Sequence, residues 1–130
     1  MPKATQPNRK QIGGQGESDA AQFLRSRGYR IAAVNVRPLP GLARGELDIV
    51  AWDGPVLCFV EVKTRRSGRV DPDIAITLTK RKQLIRLAEA YLSANDLDPE
   101  VCRFDVVSIW SDPALPCAML RLCKNAFEVQ

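Results

Sequence analysis

The segment VLCFVEV, residues 56–62, is apolar at every position but one. A run this short and this continuous suits a strand buried on both faces at the centre of a sheet, not an exposed edge. Both faces of such a strand must be covered, and helices layered around the sheet are what cover them. The preceding ELDIVAW, residues 46–52, reads as a second strand. Asp53-Gly54-Pro55 between the two is a tight-turn signal. Glu61 is the exception in the run, and Lys63 follows two positions later. Side chains alternate along a strand, so both leave from one face. An unpaired buried charge is costly, and a central strand carrying two charges needs a reason for them.

The remaining elements follow from periodicity and breakers. A first helix is expected over roughly Gly14 to Arg27, with Ala20, Ala21, Phe23 and Leu24 apolar and Gly28 as its stop. YRIAAVNVR is a strand and PLPGLARG a loop. Residues 66–78, with Gly68 and Pro72, connect to a second helix from about Thr79 to Ala94. Thr79 is placed to cap it, and Leu84, Leu87, Ala88, Tyr91 and Leu92 form its inner stripe. FDVVSIW is a further strand, and AMLRLC a last one after Pro113 and Pro116. The fold class is α/β, in the order α-β-β-β-α-β-β, with helices around a mixed sheet. The 130 residues fit one domain, expected over 13–130 behind a flexible basic tail of residues 1–12. MPKATQPNRKQIGGQG has charge without an apolar stretch, which reads as that tail and not as a secretory signal.

Composition removes several chemistries. The chain has no histidine, so histidine triads, H-E-x-x-H metalloproteases and histidine-based nucleases are excluded. Four cysteines form no C-x-x-C pair and read as reduced, mostly buried thiols of a cytoplasmic protein. No run of eighteen apolar residues is present, so no membrane-spanning helix is expected. The net charge of +4 favours a polyanionic partner.

Asp48 lies on the strand before Glu61. A hairpin closing on Gly54-Pro55 sets Asp48 opposite Glu61, and one closing on Asp53-Gly54 sets it opposite Phe59. Either register puts Asp48, Glu61 and Lys63 on one face, whereas an odd-length loop separates them. Two carboxylates so placed repel, and a hard divalent cation such as Mg²⁺ compensates them. A neighbouring lysine stabilises charge that develops on water or phosphate. A structural Lys–Glu pair is the alternative for the same spacing. Glu17 shares a helix face with Ala20, Ala21 and Leu24, and Lys80 shares one with Leu84, Leu87 and Tyr91. Both sit at helix starts, which suggests one shared polar pocket. Lys63, Arg65, Arg66 and Arg69, followed by Lys80, Arg81, Lys82 and Arg86, flank it in sequence as a phosphate-tracking surface would.

GQGESDAAQFL, GELDIVAWDGPVLCFVEVKTR, TLTKRKQLIRLAEAYL, RFDVVSI and the closing KNAF together resemble the bacterial YraN-type family over about residues 13–128. That family is placed near the archaeal Holliday-junction resolvases, within the PD-(D/E)XK nuclease superfamily. The resemblance implies a restriction-endonuclease-like core. Its catalytic set would be Glu17, Asp48, Glu61 and Lys63, with Asp48, Glu61 and the Val62 carbonyl holding Mg²⁺ or Mn²⁺. Arg65, Arg66, Arg69, Lys80 and Lys82 would contact nucleic acid. Asp48 stands in GELD where a literal P-D is the superfamily pattern; the carboxylate is kept. The implied function is metal-dependent hydrolysis of phosphodiesters in DNA, in preference to RNA, with branched or otherwise structured DNA as substrate. A homodimer is implied by analogy with the resolvases. A nucleic-acid binding module without turnover, or a cytoplasmic assembly protein retaining the fold, are the alternatives.

Overall fold

In the computed structural model, residues 15–38, 45–66, 76–112, 114 and 116–127 are described, without the side chains of residues 15–17, 65 and 66. The expected tail over residues 1–12, Arg69 and most of both long loops lie outside the described residues. The elements are α1 (Gln15–Ser26), β1 (Arg30–Val36), β2 (Leu47–Asp53), β3 (Val56–Arg66), α2 (Leu78–Ala94), β4 (Val101–Ser111) and β5 (Met119–Phe127).

The five strands form one sheet in the order β1-β2-β3-β4-β5. β3 and β4 are parallel and the other pairs antiparallel. A parallel pair cannot be joined by a tight turn, and α2 lies in the crossover. The apolar run is therefore the third strand of five, as its composition demands. Along β3 the faces alternate. Leu57 and Phe59 pack with Leu84, Leu87, Ala88 and Tyr91 of α2. Cys58 and Val60 pack with Ala20, Ala21 and Leu24 of α1. The two helices thus cover opposite faces, and each fully buried large apolar side chain contributes about 1.5–3 kcal/mol. On the α2 face, the Phe59 ring meets Tyr91 edge-on at 6.1 Å, and Phe104 stacks on Phe127 at 4.6 Å.

The β2–β3 turn closes on Gly54-Pro55, since Asp53 pairs with Val56. Gly54 has φ +63°, and the proline ring holds the next φ negative, the sign combination of a type II′ hairpin turn.

Four expectations need correction. α2 begins at Leu78 and is capped by Thr77, not Thr79; the Thr77 Oγ1 accepts the Lys80 amide at 3.2 Å. The Arg81 amide donates to the Thr77 carbonyl at 2.9 Å, so the helical ladder starts two residues earlier than Thr79 would allow. β4 begins at Val101, where its exposed first residues are held by parallel pairing with Val56 and Leu57. β5 continues to Phe127, beyond Cys123, through an irregularity at which Asn125 takes φ +53°. All four cysteines are free, but only Cys58 is fully buried; Cys102, at the start of β4, and Cys117, in the turn before β5, are exposed, and Cys123 is half-buried.

Candidate metal centre

The hairpin loop of two residues decides the site. With Asp53 opposite Val56 and Ile49 opposite Val60, one further step places Asp48 opposite Glu61. Of the registers the sequence left open, which included an odd-length loop that would separate the two, this one brings the carboxylates closest, with directly opposed Cβ atoms about 5 Å apart. Asp48, Glu61 and Lys63 share the face of Val50 and Phe59, which is the face α2 covers. β2 starts at Leu47 while β3 runs on to Arg66 alongside β4. The acidic pair therefore sits in the corner where β3 outruns its hairpin partner.

Asp48 Oδ2 accepts the Val62 amide at 2.9 Å, which fixes its carboxylate against the central strand. Lys80, in the first turn of α2, brings its Nζ to 3.5 Å from Glu61 Oε2. The Glu61 side chain is 14% exposed and that of Lys80 37%. Burial, and then the Glu61 carboxylate beside it, push the Asp48 carboxyl up to about 7, against the opposing pull of the Val62 amide and Lys80. Two carboxylates this close repel, and a hard divalent cation between them would relieve that repulsion. Among the described residues no three His, Cys, Asp or Glu side chains cluster. Asp48 and Glu61 would thus be the carboxylate ligands, with main-chain oxygen, water and substrate phosphate completing the octahedron Mg²⁺ prefers.

The other predicted residues divide. α1, which carries Glu17, packs on the far face of the sheet from Glu61. The side chain of Glu17 lies outside the described residues. A pocket shared by the two helix starts, as the sequence suggested, would have to form around the end of the sheet, because amphipathic periodicity does not say which face a helix covers. Lys80 turns inward, whereas Lys82 and Arg86, one turn apart, are exposed on the outer side of α2. Arg81 is engaged within the fold: its Nε donates to the Ile76 carbonyl at 2.8 Å, and its guanidinium lies 5.6 Å from the Phe127 ring centre. The side chains of Arg65 and Arg66 lie outside the described residues.

Sequence reasoning missed two features. Gly45 has φ +91°, and a Cβ there would meet Gln83 Nε2 at 2.6 Å, so the α2 side chain lies against the backbone that leads into Asp48. The second is a buried polar network on the α1 face. Asp105 is 1% exposed. Its carboxylate accepts from Tyr29 Oη at 2.9 Å, Arg103 Nε at 2.9 Å and the Asn125 amide at 2.8 Å. Arg103 Nη2 also reaches Asp53 Oδ2 at 2.7 Å, and Lys124 Nζ reaches the same oxygen at 3.2 Å. Arg103's hydrogen bond holds the Asp53 carboxyl below its ordinary value. Burial, with Asp105 adding to it, pushes the Tyr29 hydroxyl well above its own. The signal was present as the one charge in FDVVSI, the same kind of anomaly as Glu61.

A three-layer α/β domain with an acidic pair and lysines at the open end of its central hairpin is the class these features define. The chain belongs to the family described as uncharacterised protein family UPF0102, which it matches over residues 16–109. A UPF0102 protein of Symbiobacterium thermophilum is 47% identical over 122 residues, covering 92% of this chain and 98% of its own. One from Caldicellulosiruptor saccharolyticus is 39% identical over 121 residues, covering 92% and 99%. One from Chlorobaculum parvum is 48% identical over 100 residues, covering 75% and 74%.

Proposed function

We propose that this chain is a metal-dependent endonuclease that hydrolyses phosphodiester bonds in DNA, with branched or otherwise structured DNA as its substrate. The observation that carries the reading is the hairpin register that sets Asp48 opposite Glu61, with Lys63 on the same face. Asp48 and Glu61, with the Val62 carbonyl, would hold Mg²⁺ or Mn²⁺. Such an ion, when bound, supplies Lewis acidity to water and to the scissile phosphate. Lys63 offsets negative charge growing on the phosphoryl oxygens as water adds to phosphorus and the P–O bond to the leaving nucleotide breaks. Glu17 would orient a second ion or a water. Arg65, Arg66, Arg69 and Lys82 would follow the phosphate backbone, adding affinity without sequence selectivity. Four free thiols suit a reducing compartment, which supports a cytoplasmic location. Among the described residues, no helix is long and apolar enough to cross a membrane. A homodimer would let two such sites cut two strands.

The test is a cleavage assay on four-way junctions, flaps, single strands and linear duplexes with Mg²⁺ and with Mn²⁺. Metal-dependent cleavage of at least one substrate is expected, falling about 10²–10³-fold in Lys63→Met, the scale for removing one stabiliser of transition-state charge. A wild-type protein that binds junctions and Mn²⁺ yet cuts nothing would be a binding module.

A further inference from the structure

We propose that Lys80 is a metal-displaceable counterion: it holds Glu61 in the metal-free protein and, once a divalent ion takes Glu61, contacts a phosphate of the bound nucleic acid. The inference rests on the ion site proposed above and adds a coupling between its two ligands. Its root is the ion pair at 3.5 Å between Lys80 Nζ and Glu61 Oε2. The backbone of Lys80 is anchored, because its amide caps onto Thr77 in the first turn of α2. The side chain is not buried with its partner: at 37% exposure against 14% for Glu61, the ammonium has a path to solvent along its flexible stem. A carboxylate oxygen that ligates a hard cation loses most of its attraction for a neighbouring ammonium, and the two cations repel. The released charge then sits beside the site where a phosphate must approach. No other cation in this stretch of α2 is so placed. Arg81 is tied to the Ile76 carbonyl and lies over Phe127, and Lys82 and Arg86 are exposed on the outer side.

Linkage makes the consequence reciprocal: the factor by which the ion tightens nucleic-acid binding is the factor by which nucleic acid tightens ion binding. Lys80 contributes to that factor only if its ammonium changes partner. Calorimetric titration of Mn²⁺, and fluorescence anisotropy of a labelled DNA four-way junction with and without Mn²⁺ read before any cleavage develops, measure both arms. In the absence of DNA, Lys80→Met is expected to bind Mn²⁺ about fivefold more tightly than wild type, because a competing half-exposed ion pair is gone. It is expected to bind the junction several-fold more weakly than wild type when Mn²⁺ is present, and equally well when it is absent. Lys80→Arg keeps the charge and should restore wild-type behaviour in both arms; Lys82→Met should weaken junction binding alike with and without the ion. Loss of junction affinity in Lys80→Met that is the same with and without Mn²⁺, or Mn²⁺ affinity no tighter than wild type, overturns the inference and leaves the ion site standing. A wild-type protein that binds no Mn²⁺ overturns the ion site itself, and the inference with it.

Discussion

Replacing Asp105 by asparagine should be among the most damaging isosteric changes available to this fold. The carboxylate is 1% exposed and takes hydrogen bonds from Tyr29, Arg103 and the Asn125 amide. The third of these matters because Asn125 sits at φ +53° in the irregular stretch of β5, where pairing with β4 shifts register. An amide in place of the carboxylate keeps one acceptor, but it turns a second into a donor facing donors. It also leaves the Arg103 guanidinium, 18% exposed, with Asp53 as its remaining carboxylate. Breaking one side of a buried ion pair costs about 3–5 kcal/mol. For a domain of this size that corresponds to a melting temperature lower by roughly 10–20 °C. Urea unfolding followed by circular dichroism measures the loss directly. Tyr29→Phe alone should cost about 1–2 kcal/mol. In the Asp105→Asn background it should cost much less, because the shared partner is already compromised. A stability for Asp105→Asn within about 1 kcal/mol of wild type would refute the argument that this network ties Tyr29, between α1 and β1, and β5 to β4.

Three further outcomes are expected. Asp53→Asn should cost up to about 1 kcal/mol at neutral pH, trimmed by solvent around a surface pair. Because Arg103 lowers the folded-state value of Asp53, that contribution is present above the ordinary aspartate range and fades as pH falls through the folded value. Wild-type and variant stability curves should therefore converge in strong acid, and a gap independent of pH would contradict the assignment. Gly45→Ala should destabilise by about 1 kcal/mol through its φ of +91°, and Gln83→Ala should not rescue it, since Gln83 can yield but the backbone cannot; full rescue in the double variant would place the cost in the side-chain contact instead. Neutralising Arg65 and Arg66 together should flatten the log–log salt dependence of DNA binding by about two phosphate contacts, and an unchanged slope would make both arginines bystanders.

What was legible in the sequence is what local chemistry dictates. The turn signal and the alternation of strands put Asp48, Glu61 and Lys63 on one face for either two-residue loop and apart for an odd-length one, and the observed pairing of Asp53 with Val56 decides it. Lys80 was legible from its place on the inner stripe of α2. Asp105 was not, although it breaks its apolar strand just as Glu61 does, because apart from Arg103, two residues before it, its partners come from other parts of the chain: Asn125 is 20 residues away and Tyr29 is 76. The end of β5 was lost for a related reason. Lys124-Asn125 interrupts the apolar alternation, and tertiary contacts carry the strand across it: the Asn125 amide on Asp105, Lys124 on Asp53 and the pairing of Phe127 with Phe104. The layer assignment of α1 also lay beyond periodicity, which gives a helix an inner face without saying which side of the sheet receives it.

The central claim is that Asp48 and Glu61 jointly hold one divalent cation, and calorimetric titration of Mn²⁺ into wild type, Asp48→Asn and Glu61→Gln tests it most directly. The account predicts binding in wild type that is lost in both variants while their far-ultraviolet circular dichroism stays unchanged. Folded variants that bind Mn²⁺ as wild type does would contradict it.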